Sequence, residues 1–426
     1  MRRDIHYEEV SGDLIRFIGR CPSVYHVAAA IQAALLYAGF TALSEDEPWQ
    51  LARGGKYVVT RGDSALIAFT IPEKGSRFHI TASHLDSPTF KIKESPELHD
   101  NGYVRLNVEG YGGMNMASWT DRPLSVAGRV IVKNGAGRLE SKRVAVDGTL
   151  LVIPSVAIHM ERSINQGYQW NAQTDMLPLY GLSDSKTPFM DVIASAASIK
   201  REDILAHDLF LYSRVSGTTW GAEKEFISAP RLDDLQCAFA CFRGFAAADK
   251  QQTICMYALF DNEETGSMTA RGAGSTLLSH TMLRIGEALG MSLDETMAAM
   301  AGSFLISADN AHAIHPNHPE LADSVNRPRM NGGIVIKYNA RQTYATDGFG
   351  AAVFKDLCEK AGVPVQTFTN RSDMPGGSTL GNISSAQAAI PTVDIGLAQL
   401  SMHSSWETAG NKDTGYLVNA AIEFYK

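Results

Sequence analysis

Between residues 233 and 308 the chain reads DDLQCAFACFRGFAAA (233–248), TICMYALF (253–260), GSTLLSHTMLRIGEALG (274–290) and GSFLISA (302–308). The first and third segments carry apolar residues every three or four positions, which is typical of helices that pack on a core. The second and fourth are short apolar runs bounded by glycine and polar residues, which is typical of buried strands. Because helices and buried strands alternate here, the stretch predicts an α/β domain with a largely parallel sheet.

The same pattern continues toward both ends of the chain. Residues 13–40 have helical spacing, and the strand-like runs KYVVT (56–60), ALIAFTI (65–71) and FHITAS (78–83) follow them. Near the C-terminus, PTVDIGLA (391–398) indicates another buried strand. The predicted α/β domain therefore includes segments from both ends of the sequence.

A β-rich block interrupts this pattern. Its strand-like runs are separated by glycine and asparagine turns, and no long helical pattern occurs between about 95 and 155: YVRLNVEGY (103–111), LSVAGRVIVKNG (124–135) and RVAVDGTLLVIPS (143–155). We therefore predict a discontinuous α/β domain formed by residues 1–93 plus 230–426, with a β-rich domain inserted at 94–229.

Composition excludes several classes of protein. The chain has 426 residues, of which 45% are hydrophobic and 20% charged, as in ordinary globular proteins with two domains. A net charge of −8 argues against a nucleic-acid-binding surface, and the sequence has no apolar run long enough for a membrane span. The start MRRDIHYEEV lacks the apolar run of a secretory signal, and the five cysteines have no paired spacing. We therefore expect a cytoplasmic protein with reduced thiols.

Five places carry metal-binding side chains just past a strand or at a helix start: His84 to Asp86, Asp233-Asp234, Asp261 to Glu264, Asp309, and His403. Ligands in open α/β sheets gather at the carboxyl ends of strands, so these side chains are expected to converge. Each alone is more typical of a cap or a turn. Imidazoles and carboxylates without clustered cysteines suit a pair of zinc-like ions, which needs one carboxylate to bridge them.

The chemistry of such a site suggests roles for some of these residues. In a Glu-Glu pair, one carboxylate can bind metal while its neighbour stays free as a general base. Asp86 is placed to hold the second ring nitrogen of His84. The motif His312-x-x-His315-x-x-His318 has a metal-like spacing, but Pro316 and Pro319 prevent a helix from aligning its rings, so we interpret it mainly as a polar loop near the site.

Eight segments resemble the M18 metallopeptidases, the aspartyl aminopeptidase family, in the order in which that family carries them: SHLDSP (83–88), SWTDRPLSVAGRV (118–130), PRLDDL (230–235), DNEETGS (261–267), SADNAHAIHPNHP (307–319), GIVIKYNARQTYAT (333–346), RSDMPGGSTLG (371–381) and LSMHSSWE (400–407). The resemblance implies an α/β/α sandwich peptidase domain with an inserted, barrel-like dimerisation domain. It also implies a homo-oligomer, a dodecamer built from dimers, that acts on short peptides.

The same resemblance implies roles for individual residues. The metal ligands for two divalent ions, zinc or alternatively cobalt or manganese, would be His84, Asp233, Glu264, Asp309 and His403. Asp233 would bridge the ions and Glu263 would be the general base. Substrate contacts would come from Lys337, Tyr344, Gly377 and Ser378, with Lys337 facing an acidic N-terminal side chain.

One departure from the family bears on specificity. Where eukaryotic members carry a histidine that reaches a neighbouring subunit's active site, this chain has Ala117. Three functions are therefore carried forward: a dinuclear aminopeptidase that prefers N-terminal Asp or Glu, the same chemistry with neutral-residue specificity, and a non-catalytic assembly protein. All five ligand positions are present, which disfavours the third.

Overall fold

The computed structural model describes residues 6–426. Its helices are α1 (Tyr7–Arg20), α2 (Val24–Tyr37), α3 (Phe189–Ala196), α4 (Leu232–Ala247), α5 (Leu277–Ala288), α6 (Leu293–Ala301), α7 (Gly348–Ala361), α8 (Leu380–Ala388) and α9 (Asp413–Phe424). Its strands are β1 (Thr41–Leu43), β2 (Lys56–Arg61), β3 (Ala65–Thr70), β4 (Phe78–His84), β5 (Thr89–Asp100), β6 (Tyr103–Tyr111), β7 (Leu124–Lys133), β8 (Leu139–Ala145), β9 (Leu179–Leu182), β10 (Ile204–Ser213), β11 (Thr218–Trp220), β12 (Phe226–Ala229), β13 (Ile254–Phe260), β14 (Phe304–Ala308), β15 (Ala311–His312), β16 (Ile334–Tyr338), β17 (Val365–Thr369), β18 (Thr392–Gly396), β19 (Ala398–Leu400) and β20 (Glu407–Gly410).

A nine-stranded sheet forms the centre of the α/β part, in the order β1-β2-β3-β13-β4-β14-β18-β16-β17. Its four middle strands, β13, β4, β14 and β18, are parallel to one another. The residues of β13 alternate between two cores: Cys255, Tyr257 and Leu259 pack toward α4 and α9, whereas Met256 and Ala258 pack toward α5. Helices therefore cover both faces of the sheet, as the prediction of an α/β/α sandwich requires.

The β-rich block forms a second sheet of six antiparallel strands, ordered β8-β7-β10-β5-β6-β9. This sheet is open, with β8 and β9 at its edges, and residues 6–426 contain no closed barrel. The barrel-like expectation is therefore not confirmed, although a mixed α/β fold with several sheets is. The domain boundaries near 94 and 229 stay a prediction.

A third sheet lies close to the predicted site. Its five strands are ordered β11-β12-β20-β19-β15. In the antiparallel pair of β12 and β20, Ala229 lies opposite Glu407. The five cysteines are buried and free, in agreement with the expected reduced thiols. Across residues 6–426, none of the helices has the length and apolar character that crossing a membrane requires.

Candidate metal centre

The predicted metal ligands lie at one edge of the nine-stranded sheet. His84 is the last residue of β4, Asp309 follows β14, and Glu264 lies in a 3-10 turn directly after β13. Because these three strands are parallel neighbours, their carboxyl ends meet at this edge. Asp233 enters from the start of α4, where its backbone is not helical, and His403 enters from the loop after β19.

Asp233 lies between the two histidines. Its Oδ1 atom is 3.4 Å from His84 Nε2, and its Oδ2 atom is 3.6 Å from His403 Nε2. Each histidine also has a second carboxylate beside it. Asp309 Oδ1 is 3.8 Å from His84 Nε2, and Glu264 Oε2 is 3.3 Å from His403 Nε2. The arrangement thus offers two sets, each with one imidazole, one private carboxylate and one oxygen of Asp233.

These spacings fit divalent cations. Zinc lies about 2.0–2.1 Å from nitrogen and oxygen ligands, so the ligand atoms of a tetrahedral site are about 3.3 Å apart. Asp233 Oδ1 and Glu264 Oε1 are also buried without a hydrogen-bond partner in the described chain, a costly state that bound cations would relieve. The sets His84–Asp234–Asp309 and Asp233–Glu264–His403 each have ligand atoms within 4.8 Å of one another. Asp234 is thus a further candidate, although its Oδ2 accepts a hydrogen bond from the backbone of His84.

The electrostatics of the cluster point the same way. Burial raises the pKa of Glu264 well above its usual value, and the nearby charge of Asp233 raises it further. Burial likewise raises the pKa of Glu263 to about 8, and the carboxylate of Asp309 adds to this shift. Buried acids that retain protons in this way are suited to exchange them for metal cations.

Asp309 is an exception among these acids. Burial would raise its pKa, but the ammonium group of Lys337, 3.4 Å away, and the ring of His84 lower it to about 2. Asp309 therefore stays ionised at any working pH, as its predicted role as a metal ligand requires. The same contact holds the buried Lys337 in its charged form, because Asp309 raises its pKa against the effect of burial.

Asp86 holds the turn that carries Glu263 and Glu264. Its Oδ1 accepts a hydrogen bond from the backbone N–H of Glu263 and its Oδ2 one from that of Glu264, both at 3.1 Å. His84 Nδ1 is 3.0 Å from the Asp86 backbone carbonyl and 3.4 Å from the Asp86 carboxylate. The partner of the His84 ring is therefore the carbonyl of Asp86, whereas its carboxylate mainly organises the acidic turn.

One cavity of about 290 Å³ brings nearly all the predicted site residues together. Besides the five predicted ligands, it is lined by Glu263, Lys337, Tyr344, Gly377 and Ser378. Lys337 Nζ lies 5.6 Å from the centre of the Tyr344 ring, and Phe368 and Met402 complete an apolar part of the wall. Asp86 is the one predicted site residue that does not line this cavity; it contacts the backbone of the Glu263–Glu264 turn instead.

The comparisons with known proteins agree with this geometry. A sequence model described as Aminopeptidase I zinc metalloprotease (M18) matches residues 17–425. The chain belongs to the M18 family. It is a metalloaminopeptidase, a hydrolase that acts on peptide bonds, as are its relatives by name.

The relatives match over nearly their full length. The M18 family aminopeptidase 2 of Clostridium acetobutylicum is 43% identical over 428 residues, or 98% of each chain. Among solved structures, the cryo-EM structure of the Ape4 and Nbr1 complex superposes with a TM-score of 0.95 at 35% identity, over 98% of this chain and 86% of that one. The S. cerevisiae mApe1 dodecamer gives a TM-score of 0.87 at 28% identity, over 99% and 97%.

The metalloaminopeptidase also contains site residues that the sequence did not reveal. Tyr111, at the end of β6, donates a hydrogen bond from its hydroxyl to Asp86 Oδ2 at 2.7 Å and accepts one from Asn262. Glu407, the first residue of β20, accepts hydrogen bonds from the backbones of two predicted ligands. Glu407 lies four residues after His403 in a quoted motif and could have been suspected from that proximity, whereas nothing in the sequence around Tyr111 indicates its contact.

The histidine motif divides in the structure. His312, in β15, lines the cavity that holds the predicted ligands, which we call the metal cavity. His315 and His318 line only a neighbouring pocket, where their ring centres are 5.2 Å apart and their planes are tilted by 37°. His318 also pairs with Glu320 at 3.1 Å. The metalloaminopeptidase therefore has one of these histidines at its site, and the other two belong to the polar loop that the sequence predicts.

Proposed function

We propose that this chain removes the N-terminal residue of short peptides with two divalent metal ions, most readily zinc, and that it prefers N-terminal Asp or Glu. The observation that supports two ions is the position of Asp233, whose two oxygens face different histidines at 3.4 and 3.6 Å. A carboxylate in that position can bridge two cations, each of which would take one imidazole and one private carboxylate. Cobalt and manganese suit the same ligands.

Glu263 is the proposed general base. It lines the cavity beside the predicted ligands, and the backbone contact with Asp86 fixes its turn. Bound metal would lower the pKa of a coordinated water molecule and polarise the peptide carbonyl. Glu263 would accept the proton of the attacking water and pass it to the departing amine. Burial, which raises the pKa of Glu263 to about 8, supports its proposed role as the carrier of that proton.

A Glu263→Gln variant tests this mechanism. It removes the base but keeps the size of the side chain, so we expect both metal ions to remain while kcat falls about 100- to 10,000-fold. Metal content by atomic emission and turnover of an aspartyl anilide are the two measurements. Glu287→Gln, an exposed change on α5, is the control and should match the wild type. Near-normal turnover of Glu263→Gln would remove the proposed base.

Lys337 supports the acidic preference because it is the single Lys or Arg among the described residues that line the cavity. An N-terminal carboxylate side chain could share Lys337 with Asp309, which lies 3.4 Å from it. We expect Lys337→Met to reduce turnover of Asp- and Glu-anilides much more than that of Leu- and Ala-anilides. Equal losses on all four substrates would contradict the role of Lys337 in specificity.

The alternative specificity, for neutral N-terminal residues, also has support. Lys337 is already paired with Asp309, and Tyr344 and Phe368 give the cavity an apolar wall. Ala117, which is exposed, offers no donor for an acidic group. The wild-type anilide panel separates the two specificities directly. A non-catalytic assembly role would require a protein that binds no metal and hydrolyses none of the four substrates.

We further propose a homo-oligomer, a dodecamer built from dimers, with the β-rich insertion at 94–229 as the dimerisation domain. The S. cerevisiae mApe1 structure named above is a dodecamer. Three leucines of the six-stranded sheet are exposed, by 59 to 70%: Leu139, Leu182 and Leu205. A sedimentation mass equal to one 46.2 kDa chain would contradict this assembly. We propose a cytoplasmic location because all five cysteines are free.

A further inference from the structure

Glu407 is a buried carboxylate with two backbone partners. Its side chain is 1% exposed, its Oε1 accepts a hydrogen bond from the N–H of His403 at 2.7 Å, and its Oε2 accepts one from the N–H of Asp233 at 2.9 Å. Burial of a carboxylate is costly unless hydrogen bonds compensate for it. Glu407 therefore occupies a position in which both of its oxygens are satisfied by the backbones of predicted metal ligands.

The two residues that Glu407 connects both leave regular backbone geometry, and one of them is in a disfavoured conformation. His403 has a φ of 64°, in the left-handed region that side chains other than glycine rarely adopt. Asp233 has an extended ψ of 111° inside the first turn of α4. Because local preference does not favour the conformation of His403, an external contact has to hold its backbone in place, and the Glu407 carboxylate supplies one. The second hydrogen bond of Glu407 holds Asp233 at the point where the chain leaves helical geometry.

Glu407 does not face the substrate. It is absent from the lining of the metal cavity and instead lines a separate cavity, together with Asp86 and Arg231. Its own position is fixed by β20, which pairs with β12 through Glu407 and Ala229. Glu407 can therefore act on the reaction only through the ligands that it holds.

We propose that Glu407 is a positioning residue that sets the distance between Asp233 and His403, and with it the affinity of the metal ion that those two residues share with Glu264. This inference rests on the proposed two-metal function. The ion on the side of His84 and Asp309 shares only Asp233 with Glu407, so it should depend on Glu407 less.

The test compares two variants with a matched control. Glu407→Gln keeps the size of the side chain, but its amide nitrogen cannot accept from one of the two N–H groups. Glu407→Asp keeps the charge but is one methylene too short to reach both. Asp413→Asn is the control, because Asp413 is a buried carboxylate that accepts from the N–H groups of Asn331 and Gly333 and touches no predicted ligand.

We expect both Glu407 variants to bind one zinc ion as the wild type does and the other about 10- to 100-fold more weakly, which is the usual effect of losing a residue that orients a metal ligand. Competition with a zinc-sensing chelator measures the two affinities. Because Glu407 does not line the cavity in which the substrate would bind, KM should stay unchanged and excess zinc should restore kcat. Asp413→Asn should keep both zinc affinities, even if it lowers the unfolding temperature as much as the Glu407 variants do.

Three results would overturn the inference. Glu407→Gln could bind two zinc ions with wild-type affinities, Glu407→Asp could behave as the wild type, or Asp413→Asn could lose zinc affinity to the same extent, which would indicate a general loss of stability. A wild type that binds fewer than two ions would instead contradict the proposed function on which the inference rests. The control and the wild type thus separate the two failures.

Discussion

Tyr111→Phe is the perturbation that best tests whether the β-rich block contributes to the metal centre. The substitution removes a single oxygen and leaves the ring, which packs edge-on against Phe210 with ring centres 5.6 Å apart. Burial raises the pKa of the Tyr111 hydroxyl well above its usual value, and the nearby charge of Asp86 raises it further. The hydroxyl is therefore a proton donor to Asp86 at every working pH.

The size of the effect follows from the hydrogen bonds that are lost. A hydrogen bond to a charged group contributes about 1.5–3 kcal/mol, and Asp86 would retain its two bonds from the backbone of the acidic turn. About 1.4 kcal/mol corresponds to a factor of ten in an equilibrium constant. If roughly half of the loss, about 0.75–1.5 kcal/mol, is expressed at the metal site, zinc should bind about 3- to 12-fold more weakly, because the turn that carries Glu264 is less firmly held.

The assay is zinc affinity by chelator competition, together with kcat at saturating zinc. Tyr212→Phe is the matched control: it also removes a buried hydroxyl of the β-rich block, which donates to the Val146 carbonyl at 2.9 Å and touches none of the predicted ligands. Zinc affinity and kcat of Tyr111→Phe within twofold of the wild type would refute the reasoning, as would an equal loss in Tyr212→Phe.

Three further predictions concern metal and pH. Prolonged chelation should abolish aminopeptidase activity and lower the unfolding temperature, because the buried carboxylates lose their cations, and added zinc should reverse both effects. Lys337→Met should raise the pKa of Asp309, which Lys337 helps to hold near 2, so acidification should release zinc at a higher pH than in the wild type. Burial lowers the pKa of His26 from 6.5 to about 4. Since the unfolded chain binds that proton more readily, stability should fall as the pH drops from about 6.5 toward 4, and calorimetry of His26→Gln should show a shallower decline.

Much of the fold could be predicted from local patterns. The apolar runs at 253–260 and 302–308 are β13 and β14, and the helical spacing of 274–290 contains α5. The predicted helix at 233–248 is present, but its first residues leave helical geometry so that Asp233 can face the metal cavity. That deviation depends on contacts with a distant part of the chain, which local spacing cannot express.

Other features depended on tertiary contacts. Five helices were not predicted: α3, α6, α7, α8 and α9. The six-stranded sheet is open at both edges, so the expected barrel is not confirmed. The convergence of the predicted ligands on one cavity could be predicted from the sequence, because strand ends of a parallel sheet meet at one edge. Tyr111 was not, because its contact with Asp86 joins two sheets whose relative placement is decided by packing.

The β-rich block forms hydrogen bonds with the loops that carry predicted site residues. Besides Tyr111, it supplies the N–H of Asn115 to the carbonyl of His403 at 3.0 Å, and its Ser118 hydroxyl receives the N–H of Ser405 at 2.9 Å. Three residues of the β-rich block, Tyr111, Asn115 and Ser118, thus form hydrogen bonds with the loops around the predicted metal site. A shortened chain without the β-rich block would therefore lose the contacts that order those loops. Any change that rigidifies or loosens the six-stranded sheet can in turn alter the position of the predicted site residues.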